Sequence, residues 1–372
     1  MKVALVNCFD TYEDRVDLIR NFFIQKDHEV TVVQSNFRHF RKEIRKESKK
    51  DFVFIKTKPY YKNLSGARLK SHYSFAKDAF KKIEEIKPDL LYVLIPPNSL
   101  AKLAANYKKK NKQVKLVFDL IDLWPETMPV GKVENIPPFT LWKSLRNSNL
   151  QYADEVITEC DLYQSVLKNT LDGVSTNTIY LAKEGLEISQ ESNLASDQIN
   201  LCYLGSINNI IDISRIKRIV EETHKIKNTT VHIIGDGEKR VALINEIKST
   251  GAKVEYYGKI YNSEEKQKIF NMCHFGLNIM KESVCVGLTM KSMDYFQAGL
   301  PILNTIKSDT YNIVRENHIG FNINDHNIKD VVKHIDEMDM SEFLLMRANT
   351  RKVFNGLFSI TAFNRSMQDI FG

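Results

Sequence analysis

The chain has 372 residues, 43% hydrophobic and 27% charged, the balance of a globular protein with room for two domains and no fibrous or disordered bias. Its scattered cysteines (Cys8, Cys160, Cys202, Cys273 and Cys285) form no CxxC pair, which argues against a disulfide framework or zinc site, and its start, MKVALVNCFDTYEDR, lacks the apolar run of a signal peptide. The net charge of +7 is uneven, with 30 Lys and Arg against 22 Asp and Glu in residues 1–180 and 23 against 24 in 181–372.

In chain order, KVALVN (2–7) reads as a buried strand, and Leu18, Ile19, Phe22 and Phe23 give the following segment helical spacing. HEVTVV (28–33) is a second strand. The basic stretch 36–50 places Phe37, Phe40 and Ile44 on one helical side, and VFIKT (53–57) follows as a strand. Leu69, Tyr73, Ala76, Phe80 and Ile83 recur at steps of four and three, an amphipathic helix that ends at Lys87-Pro88. LLYVLI (90–95), KLVFDL (115–120), ADEVIT (153–158) and TIYLA (178–182) are further strands, with a helix through Leu100–Lys110. Residues 184–199 are polar and lack a period, so they read as a linker. The alternation then restarts with INLCYLG (199–205), TVHIIG (230–235), KVEYYG (253–258), FGLNIM (275–280) and PILNT (301–305). Strands alternating with helices predict an α/β fold of two doubly wound parallel sheets, each Rossmann-like.

In such sheets ligands bind beyond the carboxyl ends of the strands. In the second half those ends carry Gly205-Ser206, Gly235-Asp236-Gly237 and Gly258-Lys259-Ile260, where glycine permits close backbone approach. The stretch CVGLTMKSMDYFQAGLPILNT (285–305) reads as a loop, a helix, a Gly-Leu-Pro stop and a strand. Small residues at its head leave backbone N–H groups free at a helix N-terminus, a ready anion site. Lys291 lies in the first turn and Asp294 one turn further. That pattern suits a diphosphate with ribose hydroxyls beside it.

YLGSI (203–207), VHIIGDGEKR (231–240), VEYYGKIYNSEE (254–265) and KSMDYFQAGLPIL (291–303) together resemble the nucleotide-sugar domain of GT-B glycosyltransferases, in particular glycosyltransferase family 4. DHEVTVV (27–33), KPDLLYV (87–93), DLWPE (122–126), ADEVITECDLY (153–163) and the last helix, FSITAFNRSMQDIF (358–371), extend the resemblance over nearly the whole chain. It implies a GT-B architecture with a cleft between an acceptor domain (1–185) and a nucleotide-sugar domain (186–357), and a terminal helix (358–372) returning to the first domain. It implies transfer of a sugar from a nucleotide diphosphate sugar, a UDP-sugar above all, to a lipid-linked or saccharide acceptor in capsule, O-antigen or exopolysaccharide assembly. Retention at the anomeric carbon is expected, with no metal and no cofactor, the nucleotide sugar being a substrate.

Residue by residue, the resemblance gives Asp294 the ribose hydroxyls, the backbone of Leu288 and Thr289 the phosphates, Lys291 the phosphate charge, and Lys259 with Ile260 the base. Gly205, Ser206, Gly235 and Gly237 complete the expected donor set. Asp122, beside Trp-Pro, is the polar candidate for the reacting centre together with Lys291. Its plain alternative is a turn cap. Asn7, Cys8 and Phe9, after the first strand, are the expected acceptor residues. Three positions depart from the family pattern. Val286 stands where many members have glutamate, with Glu282 nearby but out of register. Ser206 and the Ile211–Asp212 region replace a basic pair, leaving Lys291, backbone or a shifted residue such as Arg215 to meet the phosphates. Ile121 stands where histidine is common.

The basic first half is expected to meet an anionic partner, a phosphorylated acceptor or the inner face of a membrane, with a solvated lysine-rich surface as the alternative. Nucleic acid is set aside because the aromatic residues fall at core spacing and no matching motif occurs. The protein is expected to be cytoplasmic. Two other readings share the fold. One is a non-catalytic GT-B subunit that stabilises a partner transferase. The other is a nucleotide-sugar 2-epimerase, whose chemistry wants clustered histidines and carboxylates, whereas His28, His39, His72 and His224 fall at strand starts or in helices.

Overall fold

The computed structural model describes all residues except 64, 129–135, 187–193 and 195–196. They fall into two compact units, Met1–Ala182 with Phe363–Gly372, and Lys183–Ala362. Much of the stretch read as a linker lies outside the described residues.

The first unit runs β1 (Lys2–Asn7), α1 (Glu13–Gln25), β2 (Glu29–Ser35), β3 (Phe37–Arg38), β4 (Glu43–Ile44), β5 (Phe52–Ile55), α2 (Gly66–Ile86), β6 (Leu90–Ile95), α3 (Asn98–Lys110), β7 (Lys115–Leu120), α4 (Phe139–Leu150), β8 (Glu155–Thr158), α5 (Asp161–Val166) and β9 (Thr176–Thr178). Its sheet has the order β5-β2-β1-β6-β7-β8-β9, every pair parallel. Period-two alternation splits the core: Ala4 and Val6 of β1 join one buried cluster, Val3 and Leu5 the other. A charged group crosses the second cluster. Arg15 donates to both oxygens of Asp119 (2.8 and 2.9 Å), and Tyr92 donates to the same carboxylate at 2.8 Å. The C-terminal residues belong here: Phe363 and Met367 are buried in this cluster, and Phe371 packs on Phe23 and Tyr92.

One expectation is corrected. The basic stretch 36–50 is not a helix but contains the antiparallel pair β3 and β4. Phe37 is buried while Phe40 and Ile44 are exposed, so the presumed apolar side does not exist. Two of its cations are held by carboxylates of α1, Arg45 on Glu13 and Lys49 on Glu13 and Asp17, while Arg38 pairs with Glu43 and Glu47 of the stretch itself. In α2 the stripe is real at Ala76, Phe80 and Ile83, but Leu69 and Tyr73 stay exposed.

The second unit runs β10 (Gln198–Leu204), α6 (Ile213–His224), β11 (Asn228–Ile234), α7 (Arg240–Lys248), β12 (Lys253–Gly258), α8 (Ser263–Met272), β13 (Phe275–Asn278), α9 (Met290–Gln297), β14 (Ile302–Asn304), α10 (Asp309–Asn317), β15 (Gly320–Asn322), α11 (Ile328–Glu337), α12 (Met340–Val353) and the start of α13 (Ile360–Phe371). The parallel order is β12-β11-β10-β13-β14-β15. The last strand, β15, carries too short an apolar run to be read from sequence. Strand order reverses between β10 and β13, and that switch point opens a crevice outside their carboxyl ends.

Candidate functional site

The crevice at the β10/β13 switch point holds a cavity of about 500 Å³, inside the roughly 300–1,000 Å³ typical of small-molecule sites. One wall is the β10 exit, Tyr203 to Ser206; the other is Thr289 to Asp294 at the head of α9.

Local chemistry sets α9 in place at both ends. Thr289 is its N-cap, accepting from the Ser292 N–H at 3.2 Å. The Thr289 hydroxyl also lies 3.3 Å from Asn278 Oδ1, and Asn278 bonds Asn304, which bonds Asn322. That amide ladder runs across the ends of β13, β14 and β15. At the other end Gly299 takes φ 67°, Leu300 N–H bonds Tyr295 C=O at 2.8 Å and Gly299 N–H bonds Phe296 C=O at 3.0 Å, the paired bonds of a Schellman stop. Tyr295 clamps the helix to the sheet, donating to Cys202 C=O and accepting from Leu204 N–H. Ahead of the helix, Thr310 holds the Gly287 carbonyl through its N–H (3.0 Å) and its hydroxyl (2.6 Å). The amides of Leu288, Thr289, Met290 and Lys291 therefore have no protein acceptor among the described residues. The free amides expected at this helix head are therefore present, the arrangement that favours an anion.

Lys291 lines the cavity with its Nζ 5.0 Å from the centre of the buried Tyr203 ring. It forms no ion pair among the described residues, and burial pushes its ammonium down to about 8. A half-buried cation without a counter-charge among the described residues is poised for an anion. Asp294, also on the wall, is held through Oδ1 by Lys183 at 2.6 Å and by Lys266 at 3.6 Å. Its Oδ2 has no protein partner among the described residues and is left to accept.

Gly205, Ser206, Ile260, Thr289, Lys291 and Asp294 line the cavity together. Leu288 is buried just ahead of Thr289. Gly235 and Gly237 stand apart from the lining. Their glycine requirement comes from backbone instead: an added Cβ would lie 1.9 Å from Gly205 C=O and 2.3 Å from Ile207 C=O. They shape the β10 exit rather than touch the cavity. Lys259 is exposed and outside the lining. Arg215 is committed elsewhere, to Asp325 (2.8 Å), Glu282 (3.6 Å) and Asp212 (3.8 Å), which removes it as a substitute for the missing basic pair. Sequence reasoning missed Tyr261, Lys266 and Lys183. Tyr261, 84% exposed, stands at the cavity mouth directly after Ile260. The run Asn262-Ser263-Glu264-Glu265 announces a helix start, and Lys266 sits one turn inside it on the cavity wall. Lys183 carried no local signal, since its partner lies 111 positions away.

In the first unit the expected residues are differently placed. Asn7 is buried and spends its amide on Phe9 C=O and Gln34 Oε1, both at 2.8 Å, while its Oδ1 accepts from Phe9 N–H. Cys8 is buried and its thiol is pushed up by desolvation. Phe9 packs edge-on against Tyr12, His39, His72 and Trp124. None offers an open polar atom to an acceptor. Asp122 caps its own loop: Oδ1 accepts from Leu123 N–H (2.8 Å) and the Thr127 hydroxyl, and Oδ2 from the Trp124 indole (2.6 Å). Burial raises its carboxyl pKa against those bonds. The turn-cap alternative describes this residue.

Residues 198–338 match the family described as Glycosyl transferases group 1. No curated protein matches the chain in sequence. Among solved structures, sucrose-phosphate synthase from Thermosynechococcus elongatus superposes with a TM-score of 0.70 at 11% identity, covering 100% of this chain and 98% of that one. HepE from Anabaena, solved in complex with UDP-glucose, gives 0.63 at 13% identity, covering 100% and 99%. WaaG, a glycosyltransferase involved in lipopolysaccharide biosynthesis, gives 0.64 at 12% identity and covers 100% of both chains. At these identities the structural likeness is one of fold. The chain has the GT-B fold, and its second unit carries the group 1 glycosyl transferase domain.

Proposed function

We propose that the chain transfers a sugar from a UDP-sugar to a lipid-linked or saccharide acceptor in cell-surface polysaccharide synthesis, with retention at the anomeric carbon and without a metal. The observation that carries the donor half is the head of α9, where unpaired amides, the uncompensated Lys291 and the open Oδ2 of Asp294 share one cavity wall. Amides 288–291 and Lys291 receive the diphosphate and offset the charge that grows on it as the glycosidic bond breaks. Lys266 adds a second cation on the same wall. Asp294 Oδ2 accepts from the ribose hydroxyls, and Tyr261 lies over the base at the mouth. The acceptor hydroxyl attacks on the face that the diphosphate leaves, and that phosphate takes its proton.

Support for the uridine class comes from the HepE structure, whose ligand is UDP-glucose. No helix among the described residues is long and apolar enough to cross a membrane. A lipid-linked acceptor is reached from the inner face of the membrane by surface contact, in keeping with the positive first half. The test is a thermal-shift panel of UDP-, GDP-, CMP- and dTDP-sugars with and without Mg²⁺. A UDP-selective rise that is independent of metal and lost in Asp294→Asn supports the reading. No rise with any donor, or one that requires Mg²⁺, contradicts it.

A further inference from the structure

Lys183 is the first residue of the second unit, and its backbone is tied down there. Its N–H donates to the Phe358 carbonyl at 2.9 Å, and it forms a parallel bridge with Ser359. Phe358 is buried and stacks on Phe296 of α9, with ring centres 5.7 Å apart. The next carbonyl, that of Glu184, accepts from the Gln297 side-chain amide at 2.6 Å. Asp294 and Gln297 lie one turn apart and share one face of α9. Lys183 and Glu184 therefore run along that face as a strap, with the lysine ammonium on Asp294 Oδ1 at 2.6 Å and the Glu184 carbonyl on Gln297.

The pair of Lys183 and Asp294 does little as a stabiliser. Its side chains are 25% and 16% exposed, so the Coulomb gain is screened and is offset by the rotamer freedom that the lysine gives up. What the pair fixes is direction. A carboxylate has two equivalent oxygens and, unheld, turns between solvent and cavity. With Lys183 on Oδ1 and Lys266 3.6 Å from the same oxygen, Oδ2 is the one left without a protein partner among the described residues. Lys266 lines the cavity itself and is within reach of a ligand. Lys183 does not line it, and its backbone anchors set the ammonium in place before any ligand arrives.

We propose that Lys183 is a positioning residue for nucleotide recognition. It holds Asp294 with Oδ2 turned to the cavity, so that the ribose hydroxyls meet an acceptor already in place. The inference rests on the donor-site reading of the α9 head and deepens it. An acceptor ordered in the free protein spares that ordering cost on binding, and the hydroxyls gain the whole of a charge-assisted hydrogen bond. The lysine has a second effect, which is blind to ribose. It cancels the charge of a carboxylate one turn from the free amides, a charge that would otherwise repel a diphosphate there.

The test is calorimetric titration of the full chain, wild type and Lys183→Met, with UDP and with a UDP analogue lacking both ribose hydroxyls. The wild type is expected to bind UDP at least about tenfold more tightly than the analogue. Lys183→Met is expected to bind UDP about tenfold or more weakly and to bring that ratio down to about threefold or less. The ratio isolates orientation, because lost charge cancellation, a loosened strap or partial unfolding weakens both ligands alike. In the Asp294→Asn background, adding Lys183→Met should lower the ratio no further, since no carboxylate is left to aim. A ratio in Lys183→Met equal to that of the wild type overturns the positioning role, and so does a further fall in the Asp294→Asn background; the donor reading survives both results. A wild type that binds UDP no better than the analogue overturns the ribose role of Asp294 itself, and this inference with it.

Discussion

Lys291→Met removes a cation that burial holds at about 8 in the folded protein against an ordinary 10.5. At about 1.4 kcal/mol per tenfold, keeping it charged at pH 7 costs up to about 3 kcal/mol, and its partial exposure brings this to about 1–2 kcal/mol. Methionine lies on the Tyr203 ring without that cost, so the variant is expected to be more stable. For a domain of this size each kcal/mol is worth about 2–4 °C in Tm. The sign follows from proton counting. Between pH 8 and 10.5 the unfolded chain binds more protons at this lysine than the folded one, so wild-type stability gains from it as pH rises through that window. The variant lacks that gain. Binding moves the other way. At pH 7 about nine lysines in ten are charged, at pH 9 about one in ten, while a terminal phosphate is already ionised at both. Wild-type affinity for UDP should therefore fall about tenfold from pH 7 to pH 9, and the variant's should be weaker and flat. Calorimetric titration at the two pH values with a thermal melt checks both. A variant that melts lower and binds UDP as well as the wild type would refute the reasoning.

Tyr261→Ala should leave stability within about 0.5 kcal/mol, because the side chain is exposed, yet weaken UDP by about 1–3 kcal/mol through lost stacking, measured by titration. Gly235→Ala should destabilise by several kcal/mol in denaturant melts, since φ 138° and a Cβ 1.9 Å from Gly205 C=O leave no room for relaxation. Asp119→Asn should cost about 3–5 kcal/mol by the same measurement, because it leaves Arg15 buried beside an uncharged amide. UDP affinity measured below the unfolding range should be unchanged in Asp119→Asn.

Much of the proposed donor site was legible because its signals are local. Thr289 caps a helix three residues before a serine that can be capped, Gly299-Leu300-Pro301 stops it, and Lys291 and Asp294 sit at fixed offsets between. Period-two and helical patterns likewise placed most strands to within a residue or two, as backbone hydrogen bonding depends on near neighbours. The short basic stretch 36–50 misled because its spacing fits a helix, whereas the fold offered two of its cations the carboxylates of α1 and turned Phe37 and Phe40 to opposite environments.

What only the tertiary structure decided depends on which distant groups meet. The sequence marked Gly235 and Gly237 as glycines at strand ends, which suits a ligand or a neighbouring backbone equally; the packing against Gly205 and Ile207 chose backbone. It marked Asp122 as polar, and the loop that folds over it took both oxygens. It gave no hint that Lys183 reaches Asp294 or that Arg68 is buried without an ion pair among the described residues, because a charge's worth depends on burial and partners rather than position in the chain. Sequence periodicity therefore determined the two parallel sheets and the helix head with its free amides, while desolvation and long-range pairing decided which charges are left without a partner.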